Sequence, residues 1–129
     1  MGSAQKKILV IDDNQLLRET ICDFLRVSGY EAFQAKDGAQ AIPVLEKEQP
    51  ILVITDILMP EKEGFSTIID IHKNFAGTKI IAMSGGGLFS RADLLTSAKN
   101  LGADAAMEKP FDFDDLVLNV EKLLEPERV

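Results

Sequence analysis

Five side chains of this chain have the chemistry of a phosphoryl-transfer site. They are Asp12, Asp13, Asp56, Ser84 and Lys109. Each lies at or shortly after the end of a short apolar run, as Asp12 does after Ile8–Ile11. Three carboxylates, a hydroxyl and an amine, once gathered in one place, would suit metal-dependent transfer of a phosphoryl group.

The apolar runs have the length of buried strands, and segments with helical periodicity separate them. In a parallel sheet the carboxyl ends of the strands converge on one crevice, where α/β proteins bind ligands. We therefore expect the five side chains to meet at that edge of a sheet.

Carboxylates gathered in this way need a cation. Two like charges about 4 Å apart repel each other by roughly 4 kcal/mol at an effective dielectric constant of about 20. Mg²⁺ favours oxygen ligands and usually binds one or two carboxylates together with phosphate. The sequence therefore predicts a Mg²⁺ site that contains Asp12, Asp13 and Asp56.

Asp56 is the predicted nucleophile, because it stands alone at the end of its strand and a carboxylate can form an aspartyl phosphate. Mg²⁺ and Lys109 would neutralise the charge that grows on the phosphoryl oxygens, and Ser84 would donate a hydrogen bond to one of them. The glycines Gly85–Gly87 lack the residues of a P-loop and are expected to form a flexible loop beside Ser84.

The order of the patterns predicts five strand–helix units. Strands are expected at Ile8–Ile11, Glu31–Ala35, Ile51–Ile54, Lys79–Met83 and Asp104–Glu108. Apolar residues at helical spacing follow each strand, and in the third helix they are Phe65, Ile68, Ile69 and Phe75. Such units predict an α/β fold with a doubly wound, parallel five-stranded sheet covered on both faces.

Three of the helices carry local signals. The second, Ala39–Lys47, contains Pro43 beyond its first turn, and the proline is expected to kink or shorten it. The segment Ser90–Asp93 matches a capping box and predicts a fourth helix that begins near Arg91. Asp112 is expected to cap the fifth helix.

Length and charge narrow the class of protein. The 129 residues predict one domain at residues 6–125, between an N-terminal extension or tag (1–5) and a short tail (126–129). The net charge of −7 argues against nucleic-acid binding and favours attraction of a cation. No apolar run reaches the roughly 18 residues that span a bilayer. A single cysteine, Cys22, is expected beside the core, and a cytoplasmic location fits.

From Ile8 to Leu124 the chain resembles a response-regulator receiver domain of bacterial two-component signalling. The resemblance rests on the acidic residues, Ser84 and the residues around them. The motifs are Asp12–Asp13, Asp56 with Met59–Pro60 and Gly64, Ser84, and Lys109–Pro110–Phe111. It implies a flavodoxin-like sheet with strand order 2-1-3-4-5.

The resemblance also implies a role for each site residue. Asp56 would be the phosphoacceptor. Asp13 and Asp56 would bind Mg²⁺ directly, Asp12 mostly through water, and the backbone carbonyl of Leu58 would complete the protein ligands. Lys109 would pair with the phosphoryl group or with Asp56, its bond to Pro110 would be cis, and Ser84 would be a switch hydroxyl.

Three features depart from the usual pattern of this family. Ala106 stands where members usually carry an aromatic switch residue, three positions before the lysine. The segment between Ser84 and Lys109 is a few residues longer than in many members, and the extra length is expected in Gly85–Phe89. Pro43 is the third departure.

The partners implied are a sensor histidine kinase or a phosphotransfer protein and an unidentified protein effector. Neither nucleic acid nor a membrane is expected to bind this chain, which would be a monomer or weak dimer. One alternative is a receiver-like docking module that is never phosphorylated, although such a module need not keep the acids and Lys109 together. Another is a phosphatase with an aspartyl nucleophile, which would carry a second aspartate where Leu58 stands. A nucleotide-binding flavodoxin-like protein would need a phosphate loop where Asp12 and Asp13 stand.

Overall fold

Strands and helices alternate along the part of the chain that the computed structural model describes, residues 5–57, 63–85 and 91–125. The strands are β1 Lys7–Ile11, β2 Glu31–Ala35, β3 Leu52–Asp56, β4 Lys79–Ser84 and β5 Ala105–Glu108. The helices are α1 Gln15–Val27, α2 Gly38–Glu48, α3 Glu63–Asn74, α4 Arg91–Leu101 and α5 Phe113–Leu124. Within these ranges no helix is long and apolar enough to cross a membrane.

The five strands form one parallel sheet in the order β2-β1-β3-β4-β5. The predicted fold class and strand order are both confirmed. β1 and β3 each have a neighbouring strand on both sides, so they lie in the interior of the sheet. Because every strand runs the same way, the carboxyl ends of β1, β3, β4 and β5 lie along one edge.

Alternate residues of each strand face opposite layers of helices. Ile8 and Val10 pack with residues of α1 and α5, among which Cys22 is fully buried as expected. Leu9 and Ile11 pack with residues of α2, α3 and α4. A sheet covered on both faces explains why the strands read as continuous apolar runs.

The strands that carry site residues extend further than the sequence predicted. β3 ends at Asp56 and not at Ile54, and β4 ends at Ser84 and not at Met83. Asp56 pairs with Met83 across the two strands, so Ser84 comes one residue after that pair. Both site residues therefore belong to the ends of strands and not to loops.

Of the two effects predicted for Pro43, a kink or a shortening of the second helix, the shortening does not occur. α2 runs through Pro43 and is one residue longer at each end than expected. The proline removes one backbone donor, while Asp37 caps the helix by accepting a 2.9 Å hydrogen bond from the Gln40 N–H. Burial of Ala41 and Leu45 against the sheet also holds the helix in place.

Two further helix predictions need correction. Asp112 occupies the N-cap position of α5, but its side chain makes no capping hydrogen bond. In α3, Ile69 is 43% exposed, and Ile71 is buried in its place beside Ile68. α4 begins at Arg91 as predicted, whereas Ser90 of the expected capping box lies outside the described residues.

Candidate functional site

The ammonium group of Lys109 lies between two carboxylates. Its Nζ donates hydrogen bonds to Asp12 Oδ2 at 2.9 Å and to Asp56 Oδ2 at 3.1 Å. The Asp12 side chain is fully buried, and that of Asp56 is 7% exposed. Lys109 follows β5, Asp12 follows β1 and Asp56 ends β3, so the parallel sheet brings together residues that are far apart in sequence.

Asp13 completes an acidic cluster with these two carboxylates. Asp12, Asp13 and Asp56 each offer an oxygen, and these three oxygens lie within 4.8 Å of one another. Three negative charges thus face the single positive charge of Lys109. The donor set is all oxygen and carries surplus negative charge, so it fits a hard divalent cation such as Mg²⁺.

The shifts in pKa within the cluster follow from this arrangement. Partial burial, followed by the negative charges of Asp12 and Asp56, raises the pKa of Asp13. Burial alone would lower the pKa of Lys109, but hydrogen bonds and charge from Asp12 and Asp56 outweigh that effect and raise it. Lys109 therefore remains an ammonium group at neutral pH, and Asp13 is a carboxylate whose charge a nearby cation would relieve.

The loop between β1 and α1 is held by several hydrogen bonds. The Asp12 N–H donates to the Ala35 carbonyl at 3.2 Å, and the Asn14 N–H donates to Asp12 Oδ1 at 2.9 Å. Arg18 Nη1 donates to the Asp12 carbonyl oxygen at 2.8 Å. The sequence reasoning missed Arg18, although a cation within the apolar stripe of α1, one turn after the acids, was an available signal.

Ser84 is fully inside the protein at the end of β4, with 1% exposure. Its carbonyl oxygen accepts a 2.6 Å hydrogen bond from the backbone N–H of Lys109. Its Oγ is buried and has no hydrogen-bond partner among the described residues. Leaving a buried hydroxyl in this state costs about 1–3 kcal/mol, so a ligand oxygen within reach would be favourable.

The remaining predicted features divide into those that the structure describes and those outside it. The Lys109–Pro110 peptide bond is cis, which confirms that prediction. Leu58 and the segments 59–60 and 86–89 lie outside the described residues. Ala106 pairs with Ala82 of β4 and is half-buried, so β5 presents a methyl group where an aromatic ring was the expectation for the family.

Aromatic rings are instead found just beyond Lys109. Phe111 and Phe113 meet edge to face at 5.7 Å, and Phe113 stacks on Phe24 of α1 at 4.5 Å. These three rings join the start of α5 to α1.

Comparison with known proteins gives concordant matches. The family model of the response regulator receiver domain matches residues 8–121. The transcriptional regulatory protein PdtaR of Mycobacterium tuberculosis is 34% identical over 121 residues, which cover 93% of this chain and 57% of PdtaR. The sporulation initiation phosphotransferase F of Bacillus subtilis is 32% identical over 119 residues, which cover 92% of this chain and 94% of that protein.

Solved structures agree with these matches. The receiver domain of NtrX from Brucella abortus superposes with a TM-score of 0.85 at 30% identity, covering 93% of this chain and 99% of that one. A CheY-like receiver domain protein from Methanospirillum hungatei gives a TM-score of 0.83 at 29% identity and covers 94% of each chain. The chain therefore belongs to the family of response regulator receiver domains, the phosphoacceptor modules of two-component signalling.

Proposed function

We propose that Asp56 accepts a phosphoryl group from a phosphohistidine on a sensor histidine kinase or a phosphotransfer protein, and that this changes the affinity for a protein effector. The observation that carries the proposal is the position of Lys109, whose ammonium group bridges Asp12 and Asp56 beside Asp13. A nucleophilic carboxylate, a fixed cation and a set of oxygen ligands are what transfer to an aspartate requires.

In this proposal the three carboxylates hold Mg²⁺, with Asp13 and Asp56 as direct ligands and Asp12 acting mostly through water. The backbone carbonyl of Leu58 is assigned as a further ligand, although that residue lies outside the described part of the chain. When bound, the ion supplies positive charge that neutralises the phosphoryl oxygens and fixes their orientation.

The transfer itself is a substitution at phosphorus. An oxygen of the Asp56 carboxylate forms a bond to phosphorus while the phosphorus–nitrogen bond to the donor histidine breaks, and the electron pair stays on the imidazole nitrogen. The Lys109 ammonium stabilises charge on one phosphoryl oxygen, since its pKa is raised and it keeps its proton. The Ser84 hydroxyl donates a hydrogen bond to another.

The new phosphoryl group is also the switch. It adds roughly 1.5 to 2 negative charges at neutral pH, and Ser84 and Lys109 are the groups that respond to it. Because Ala106 has no ring to rotate, we assign the coupling to the backbone bond between Ser84 and Lys109 and to the loop after β4. The surface formed by α4, β5 and α5 then binds the effector with a different affinity. The size of the change is set by how much more favourably the effector binds one state than the other.

Intact mass after incubation with Mg²⁺ and acetyl phosphate tests the proposal. The unmodified chain, meaning the sequence without substitutions, is expected to gain one phosphoryl adduct. The substitution Asp56→Asn should abolish this adduct. Asp70→Asn is a matched control, because Asp70 is an exposed aspartate of α3 outside the cluster, and it should leave the adduct unchanged. An unmodified chain without adduct, or an equal adduct on Asp56→Asn, would reject phosphorylation at this residue.

Two further measurements, Mg²⁺ binding and turnover of a generic phosphate ester, separate a docking module and a phosphatase from the proposed function. A docking module that is never phosphorylated would form no adduct and bind no Mg²⁺. A phosphatase would release inorganic phosphate repeatedly from a generic phosphate ester. We propose that the chain catalyses only its own phosphorylation and dephosphorylation.

A further inference from the structure

We propose that Arg18 is a positioning residue, which fixes the peptide between Asp12 and Asp13 so that the Asp13 carboxylate faces the other two acids. The part of this inference that concerns Mg²⁺ rests on the proposed function above. The part that concerns the shape of the loop does not depend on a metal ion.

The guanidinium group of Arg18 joins three elements. Its Nη1 donates to the carbonyl oxygen of Asp12 at 2.8 Å, at the end of β1. Its Nε donates to Gln34 Oε1 on β2, also at 2.8 Å. The planar guanidinium group, carried by α1, therefore bridges the loop after β1 and strand β2. The Arg18 side chain is only partly exposed.

Both backbone groups of Asp12 are held by these contacts. The Asp12 N–H donates to the Ala35 carbonyl, and the Asp12 carbonyl accepts from Arg18. The carbonyl belongs to the planar peptide that leads into Asp13. Its orientation therefore helps to set the direction in which the Asp13 side chain leaves the backbone. The Asp13 side chain is exposed and lies beside the like charges of Asp12 and Asp56, so a fixed backbone helps to keep its carboxylate in the cluster.

The chemistry of the two bonds suits a positioning role. Arg18 donates here to a peptide carbonyl and to an amide oxygen, so these bonds hold the loop without using the carboxylate oxygens that a cation needs. Groups that orient metal ligands in this way typically change metal affinity by about 10- to 100-fold when they are removed.

The same helix offers a matched control. Arg26 lies eight residues after Arg18 on α1, and its Nη2 donates to the carbonyl oxygen of Ala32 on β2 at 3.1 Å. This is again an arginine of α1 bonded to a backbone carbonyl, but at the other end of the helix. A general loss of contact between α1 and β2 should therefore appear equally in variants of Arg26.

The first measurement is the Mg²⁺ dissociation constant, by calorimetric titration of the full chain. Arg18→Met should raise it about tenfold and Gln34→Leu, which removes only the Nε partner, about threefold, while Arg26→Met stays within about twofold. Arg18→Lys keeps the charge but cannot hold both partners in one fork, so its affinity should remain below that of the unmodified chain. Full recovery with lysine, or equal weakening in Arg26→Met, would overturn the positioning role.

The second measurement separates binding from chemistry. With acetyl phosphate, the Mg²⁺ concentration for half-maximal phosphorylation should rise in Arg18→Met, while the plateau rate at saturating Mg²⁺ stays the same. An unchanged half-maximal concentration would count against the inference.

A third measurement works without metal. In EDTA, amide exchange at Asp13 and Asn14 should be faster in Arg18→Met and Gln34→Leu than in the unmodified chain and in Arg26→Met. Unchanged exchange overturns the inference. An unmodified chain that binds no Mg²⁺ refutes the metal site of the proposed function instead, and the exchange data then still decide whether Arg18 holds the loop.

Discussion

The backbone N–H of Lys109 donates a 2.6 Å hydrogen bond to the carbonyl oxygen of Ser84. This bond joins the end of β4 to the residue that follows β5. The side chain of the same lysine contacts Asp12 and Asp56, after β1 and at the end of β3. Lys109 thus connects the carboxyl ends of four strands, and its backbone and side chain together link Ser84 to Asp12 and Asp56.

Removal of the Lys109 charge is expected to destabilise the chain. Lys109→Met keeps the length of the side chain but leaves two buried carboxylates without their cation. We expect the free energy of unfolding in EDTA to fall by about 1–3 kcal/mol, because each buried acceptor loses a charged donor. Urea unfolding at neutral pH measures this.

The control for this change is Lys36→Met, at an exposed lysine between β2 and α2. It should alter the free energy of unfolding by no more than about 0.5 kcal/mol. A Lys109→Met chain as stable as the control would show that the two carboxylates do not depend on the ammonium group.

Neutralising Asp13 should raise the free energy of unfolding of the metal-free chain, whereas neutralising Lys109 lowers it. The pKa of Asp13 is raised by partial burial and by the charges of Asp12 and Asp56, so the ionised form costs stability at neutral pH. Because its pKa is raised, the Asp13 carboxyl group holds its proton more tightly in the folded chain than in the unfolded chain. The stability that this proton provides is lost as the pH rises from the ordinary pKa of 3.8 through the pKa of the folded chain. Asp13→Asn should therefore stabilise the metal-free chain at pH 7, by less than about 1 kcal/mol because the residue is exposed to solvent.

Thermal unfolding with EDTA and with Mg²⁺ checks this prediction. Mg²⁺ should raise the Tm of the unmodified chain more than that of Asp13→Asn, since the proposed metal site of the variant has one carboxylate fewer. Asp70→Asn, outside the cluster, should respond to Mg²⁺ like the unmodified chain. A lower Tm for Asp13→Asn in EDTA would mean that neither burial nor repulsion of the Asp13 charge costs the folded chain stability.

Much of this site was predictable from sequence, because the fold and the chemistry agree. Buried parallel strands must be short apolar runs, and their carboxyl ends must lie at one edge, so polar residues at those ends are brought together. Asp12, Asp56 and Lys109 follow that rule. Their contact needs only the topology and not the details of side-chain packing.

The features that the sequence predictions missed depend on such details. Arg18 can reach Asp12 and Gln34 only because of how α1 is placed on the sheet, and sequence spacing does not fix that placement. Ile69 and Ile71 lie on different sides of α3, and only the placement of the helix on the sheet shows that Ile71 faces the core. Asp112 stands where a cap belongs, but only the geometry shows that its side chain makes no capping bond.

The thiol of Cys22 should be unreactive in the folded chain. Burial raises its pKa to about 11 from the ordinary value of 9.0. The folded chain therefore keeps the thiol proton, and its full contribution to stability is present below pH 9.0 and is lost as the pH rises toward about 11. Relative to Cys22→Ala, the free energy of unfolding should decline by at most about 1.4 kcal/mol per pH unit in this window.

Alkylation gives an independent check on Cys22. At pH 8 iodoacetamide should modify the chain far more slowly in buffer than in urea, because the thiol is fully buried. Equal rates in the two solvents would contradict the buried position.

Replacing Pro43 with alanine should stabilise the chain. Pro43 is exposed in the interior of α2, so it leaves the Ala39 carbonyl without the donor that a helix would supply. Alanine restores that hydrogen bond and relieves the contact between the ring and the preceding turn, while the unfolded chain regains about 0.4–1 kcal/mol of conformational freedom. The net expectation is a gain of about 1–2 kcal/mol in the free energy of unfolding, measured in urea.

The control is Glu46→Ala, at an exposed position of the same helix, which should change the free energy of unfolding by no more than about 0.5 kcal/mol. A Pro43→Ala chain that is no more stable than the unmodified one would show that α2 already accommodates the proline without cost, and that packing of Ala41 and Leu45 against the sheet, not the helix backbone, determines its stability.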